Sequence, residues 1–205
     1  MNRILLVEGI DDQHVVLNLA KHHNLPQVFV VDQKQGYTNL LKILPVQIKS
    51  SNTQAIGVLL DADVDFLGRW QSVRDLLTNS GYVGLPVQIP KEGLIAYQEG
   101  LPRIGVWLMP DNMTEGMLED FIVKLVPEED PLISTAVTSV HNIPKDHKKF
   151  SPLHLRKAEI HTWLAWQQDP GTPFGLAITK KYLDPDCPSS RSFVDWLEQT
   201  FVAGF

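Results

Sequence analysis

The chain reads as an α/β protein built around a mostly parallel sheet, and three observations predict it. Short aliphatic runs alternate with helical stripes three times before Gly81, and each run ends on acids or a loop and not on a two-residue hairpin. Strand, helix and strand in that order predict parallel neighbours joined by right-handed crossovers. Finally, 205 residues with 43% hydrophobic and 20% charged side chains suit a single folded domain with a sizeable core.

Arg3 to Val7 is a short buried strand closed by Glu8-Gly9. Asp11 to Leu25 follows as a helix with Val15, Val16, Leu19 and Ala20 on one stripe and Pro26 as its stop. Gln27 to Asp32 is a second strand, and the helix from Gly36 is expected to close at Pro45. Ala55 to Asp63 is the clearest strand. The next helix runs from Phe66 toward Gly81, capped by Asp65, with Leu67, Trp70, Val73, Leu76 and Leu77 on its apolar side. Val83 to Pro90 and Arg103 to Asn112 are expected as further strands, with Leu94 to Leu101 a loop between them. From Glu115 the chain turns helical, in segments 115–126, 130–143, 152–168 and 189–201, and the Pro/Gly-rich "DPGTPFG" and "DPDCPSS" are expected loops. One domain results: residues 1–112 form the sheet core, and residues 113–205 a mainly helical part packed on it.

A net charge of −6 argues against a passive duplex binder, which would be basic, yet leaves room for an enzyme whose cations reverse the sign of an acidic pocket. A single cysteine, Cys187, forms no internal disulfide, acids occupy the positions a signal peptide would fill with apolar residues, and no apolar run reaches membrane-span length. The chain is expected to be cytoplasmic and not membrane-bound.

In a parallel sheet, ligands gather at the carboxyl ends of the strands. Glu8 follows the first strand there, and Asp61, Asp63 and Asp65 follow the third. If those strands are neighbours, their carboxylates converge, and oxygen-only donors favour a hard cation such as Mg²⁺ or Mn²⁺. "DADVD" is not a calcium loop, because Phe66 stands where glycine is needed and Ser72 where a bidentate glutamate is needed. As a capping residue, Asp11 or Asp12 alone needs no further explanation. Trp163 and Trp166 read as packing residues, since basic neighbours for a base-stacking platform are missing.

"ILLVEGIDD" resembles the opening of receiver domains, in which Asp61 would accept a phosphoryl group and a lysine from the last strand would assist. Glu8-Gly9-x-x-Asp12 followed by Asp61-x-Asp63 resembles more closely the Toprim domain of topoisomerases, primases and OLD-family nucleases. "GVWLMPDNMTEGMLEDFI" and "RKAEIHTWLAWQQDPGTPFGLAI" are similar to segments of small stand-alone OLD-like Toprim proteins, a group of unknown function (DUF3226-like). The resemblance implies a Toprim-like fold and a Mg²⁺- or Mn²⁺-dependent nuclease, or nuclease-like subunit, acting on nucleic acid, with DNA favoured over RNA. It implies two ions roughly 3.5–4 Å apart, held by Glu8, Asp12, Asp61, Asp63 and Glu119, with Glu8 also catalytic and Lys157 offsetting charge on the phosphate. Asp111, Asp120, His14, His154 and His161 are weaker candidates. OLD nucleases carry an ATPase, and no G-x-x-x-x-G-K-[ST] occurs here, so ATP control would come from a separate OLD-type ATPase subunit. A homo-oligomer and a non-catalytic Toprim binding module remain alternatives.

Overall fold

The structure, a computed structural model, describes residues 2–204. Five strands form one sheet in the order β2-β1-β3-β5-β4. They are β1 (Asn2–Val7), β2 (Val30–Gln33), β3 (Thr53–Asp61), β4 (Leu94–Ala96) and β5 (Arg103–Met109). The pairs β1–β2, β1–β3 and β3–β5 are parallel, and β4 runs antiparallel beside β5. Among the described residues, eight helices flank the sheet: α1 (Ile10–His22), α2 (Tyr37–Ile48), α3 (Phe66–Asn79), α4 (Leu118–Lys124), α5 (Pro131–His141), α6 (Leu155–Ala165), α7 (Phe174–Thr179) and α8 (Pro188–Phe201).

Residue parity along the strands divides the core in two. Leu5, Val7, Ala55, Leu59, Trp107 and Met109 face α1 and the later helices, whereas Leu6, Ile56, Val58, Leu60, Ile104, Val106 and Leu108 face α2 and α3. The sheet is therefore covered on both sides, as its near-continuous apolar strands require. Because α1 lies on one face and α2 and α3 on the other, the strand order changes direction between β1 and β3. A crevice opens at such a switch point, at the strands' carboxyl ends.

Helix α8 comes unusually close to the sheet. A Cβ on Gly57 would stand 2.7 Å from both Leu5 Cδ1 and Phe201 Cζ, and one on Gly105 would stand 2.3 Å from Thr200 Oγ1. Missing side chains at these two strand positions let α8 dock. Gly57→Ala is expected to lower stability by about 1–3 kcal/mol through overpacking, visible as a lower denaturant midpoint at unchanged slope.

Several expectations about elements need correction. The expected strand at 83–90 is irregular chain, and strand β4 lies instead inside the segment expected as a loop. Pro86 and Pro90 lack the N–H that a ladder needs, and Val83 and Val87 are exposed. Helix α2 continues through Pro45 to Ile48, because Leu40, Leu44 and Ile48 form one buried stripe whose packing outweighs the lost hydrogen bond. Leu67 is 67% exposed, so the apolar side of α3 consists of buried Trp70, Val73 and Leu77 with half-buried Leu76 packed beside them. The expected loop at 169–175 ends two residues early, where helix α7 begins at Phe174; Gly175 lets it press on α1, since a Cβ there would meet the His14 carbonyl oxygen at 2.9 Å. In addition, Glu115 to Met117 precede the first turn of α4 and are not part of it. No helix among the described residues is long and apolar enough to cross a membrane.

Candidate functional site

Asp61 connects three elements at the crevice. Its backbone N–H donates to Glu8 Oε1 at 2.9 Å, which joins the ends of β3 and β1. Its own Oδ1 accepts the N–H of Leu118 at 2.9 Å, drawing the start of α4 onto the same rim. Glu8 is thus placed by the abrupt end of β1, and Gly36 N–H donates to the Glu8 carbonyl at 2.9 Å, closing the rim from the α2 side. Asp12, one turn into α1, reaches back so that its Oδ2 accepts the Gly9 N–H at 2.8 Å. This is the capping role that its position predicts, and it leaves Asp12 only 7% exposed.

Glu8, Asp12, Asp61 and Glu119 line one cavity of about 360 Å³, together with Gly9, Asp11, His154 and Lys157. Four of the five expected ligands therefore meet, with the expected lysine beside them. Lys157 Nζ lies 2.8 Å from Glu119 Oε1, and Glu119 is 5% exposed. The fifth, Asp63, stands aside. Its backbone pairs with Gly116, its φ is +51°, and its carboxylate is held by Arg69, whose guanidinium lies 3.7 Å from the centre of the Tyr37 ring. Asp63 still acts at a distance, its charge raising the pKa of Glu8 and Asp61.

Burial without enough positive charge governs the electrostatics. Desolvation, followed by repulsion from Glu8 and Glu119, pushes Asp12 up to about 7. Burial also raises Glu8, against the opposing hydrogen bond from Asp61 and the charge of Arg69. Asp61 rises well above the carboxylate range through burial and the charges of Asp12, Glu8, Glu119 and Asp63. Lys157 is raised by its hydrogen bond to Glu119 and by the charges of Glu119, Asp11 and Asp61. Pairs of carboxylates that mutually resist ionisation are a recognised mark of functional sites. They also suit a divalent cation, since the donors are oxygens only and a positive ion would relieve both repulsion and desolvation. The oxygens are turned onto backbone N–H groups and Lys157. Among the described residues, the set with three ligand atoms mutually within 4.8 Å is His22, His23 and Asp186, remote from this rim.

The weaker candidates separate. Asp111 pairs with Lys124 at 3.0 Å and caps the Thr114 turn, and Asp120 caps Met117 and accepts from Arg156 Nε at 3.0 Å. His154 lines the cavity, whereas His14 does not. His161 stacks on Phe174, with its pKa lowered first by burial and then by Lys157. Two features carried no sequence expectation. Arg69 could have been flagged, because a cation in the first turn of a helix opposes its dipole and needs an anionic partner. The other is the buried Glu159, bound by Arg156 Nη1 at 2.8 Å and His141 Nε2 at 2.8 Å beside a neighbouring cavity of about 500 Å³. Arg156, three residues before it on α6, was a local signal of a surface pair, but the burial and the contact with His141 from α5 were not.

Lys157→Met is expected to destabilise by about 1–2 kcal/mol, between the values for exposed and buried pairs. The pairing is checked by a double-mutant cycle with Glu119→Gln, in which additive losses would contradict it.

No match was found among curated proteins or among solved structures. The chain matches, over residues 2–202, the model of the family described as a protein of unknown function (DUF3226), and the chain therefore belongs to that family.

Proposed function

We propose that this protein is a Toprim-like, metal-dependent phosphodiesterase of the OLD type, acting on nucleic acid and working with a separate ATPase subunit. One observation carries the reading: Glu8, Asp12, Asp61 and Glu119, from separate elements, meet Lys157 in a single cavity at the β1–β3 switch point. The all-oxygen donor set fits Mg²⁺ or Mn²⁺, and Glu8, Asp12, Asp61 and Glu119 would hold it. When bound, such ions activate water and stabilise the leaving oxygen of a phosphodiester.

The chain's own groups supply the rest. Glu8 is positioned to accept a proton, because burial raises its pKa while the Asp61 N–H keeps the carboxylate oriented. Lys157 stays charged and offsets the developing negative charge on the phosphate. Asp63 is assigned to hold Arg69, whose charge acts on Glu8. The receiver-like alternative has less support, since β5 carries no lysine and Lys157 pairs with Glu119 from a helix.

The test is nicking of supercoiled plasmid by the full chain with Mn²⁺ or Mg²⁺, compared with Glu8→Gln and Asp61→Asn. Activity lost in both variants supports the proposal. Absence of nicking with intact metal binding favours a binding module, and a stable acyl-phosphate on Asp61 favours the receiver-like alternative.

A further inference from the structure

At the far end of α1, a second constellation has ligands of a different kind. His22 and His23 close the helix, and Asp186 lies in the connection between α7 and α8, yet one ligand atom from each lies within 4.8 Å of the others. We infer that His22, His23 and Asp186 form a binding site for one borderline divalent cation of the Zn²⁺ type, separate from the acidic rim.

Two imidazoles and one carboxylate are a donor set that suits Zn²⁺ and its neighbours in the transition series far better than Mg²⁺. The surroundings orient these donors. His23 Nε2 lies 2.8 Å from the Pro185 carbonyl oxygen, which can only accept, so Nε2 carries the proton and Nδ1 the free lone pair. Asp186 Oδ1 accepts from Arg191 at 2.8 Å, while Oδ2 faces His22 Nε2 at 3.1 Å. Arg191 Nε also donates to the Asp186 carbonyl at 2.9 Å and so steadies the loop. The two rings meet edge to face with centroids 4.9 Å apart. The negative end of the α1 dipole adds a favourable field, against the charges of Lys21 and Arg191. Three protein ligands leave a fourth tetrahedral position for water. Such an ion would clamp the end of α1 to the α7–α8 connection.

The test uses the full chain after EDTA treatment and removal of the chelator. Zn²⁺ is titrated against a chromophoric competitor, and melting is followed in parallel. The wild type is expected to bind one equivalent tightly and to melt higher with Zn²⁺. His22→Ala and Asp186→Asn should each weaken binding by about tenfold or more and abolish the melting shift, with helical content unchanged. Glu8→Gln should retain both effects, which keeps this site distinct from the rim. The inference is overturned if the wild type takes up no saturating equivalent, if both variants bind as it does, or if uptake disappears only in Glu8→Gln.

Discussion

Glu8→Gln and Asp61→Asn are each expected to reduce Mn²⁺-dependent plasmid nicking by roughly 10²-fold or more while melting above the wild type in EDTA. The two effects have one cause. An amide oxygen in place of the Glu8 carboxylate would still accept the Asp61 N–H, and one in place of the Asp61 carboxylate would still accept the Leu118 N–H. The geometry therefore persists in each variant while one buried negative charge disappears. Removing a charge that burial and its neighbours already oppose stabilises the metal-free fold, and on the proposed function it also removes a metal donor that the chemistry needs. Nicking assays and thermal melts on the same preparations check both. A variant that loses activity and melts lower would point to a structural role for these carboxylates.

Acidity should stabilise the metal-free protein. Asp12 titrates at about 7 in the folded state against 3.8 unfolded, so the stabilisation it gives is complete below the unfolded value and is lost as pH rises through 7. A displacement of that size corresponds to on the order of 4 kcal/mol, and Glu8 and Asp61 shift in the same direction. In EDTA the melting temperature should therefore fall between about pH 4 and pH 7, the interval between the unfolded and folded values of Asp12. Asp12→Asn should flatten this slope, since an amide keeps the cap to Gly9 without a charge to bury. Added Mn²⁺ should restore stability mainly at the alkaline end. A metal-free protein that gains stability across this range would refute the crowded-carboxylate account.

The parallel sheet was legible because β1 and β3 are buried on both faces and end abruptly on acids. Position along the chain then placed Glu8 and Asp61 on a common edge, and the register of β1 against β3 shows them there. Asp65 as the cap of α3 was legible for a similar local reason, and its side chain accepts the Gly68 N–H at 2.9 Å. What escaped depends on contacts between distant segments. Strand β4 is three residues long and is defined by pairing with β5, so no pattern within it could announce it. Helix α2 passes Pro45 because the sheet beneath it buries Ile48, a gain invisible to a rule about proline. Asp63 has the spacing of a ligand, but its positive φ and its bond to Arg69 turn it elsewhere. Glu159 and His141 lie 18 positions apart, and only the packing of α5 on α6 unites them.

Asp61 commits both its main chain and its side chain to joining β1, β3 and the start of α4, through bonds that require no ion. The rim is thus assembled by folding alone, unlike modules whose ligands come together only when metal arrives. If the rim holds the proposed ion, loading it would ask for rotation of a few carboxylates, with no backbone rebuilding, so ion exchange would be fast and repeatable without exposing the chain to unfolding.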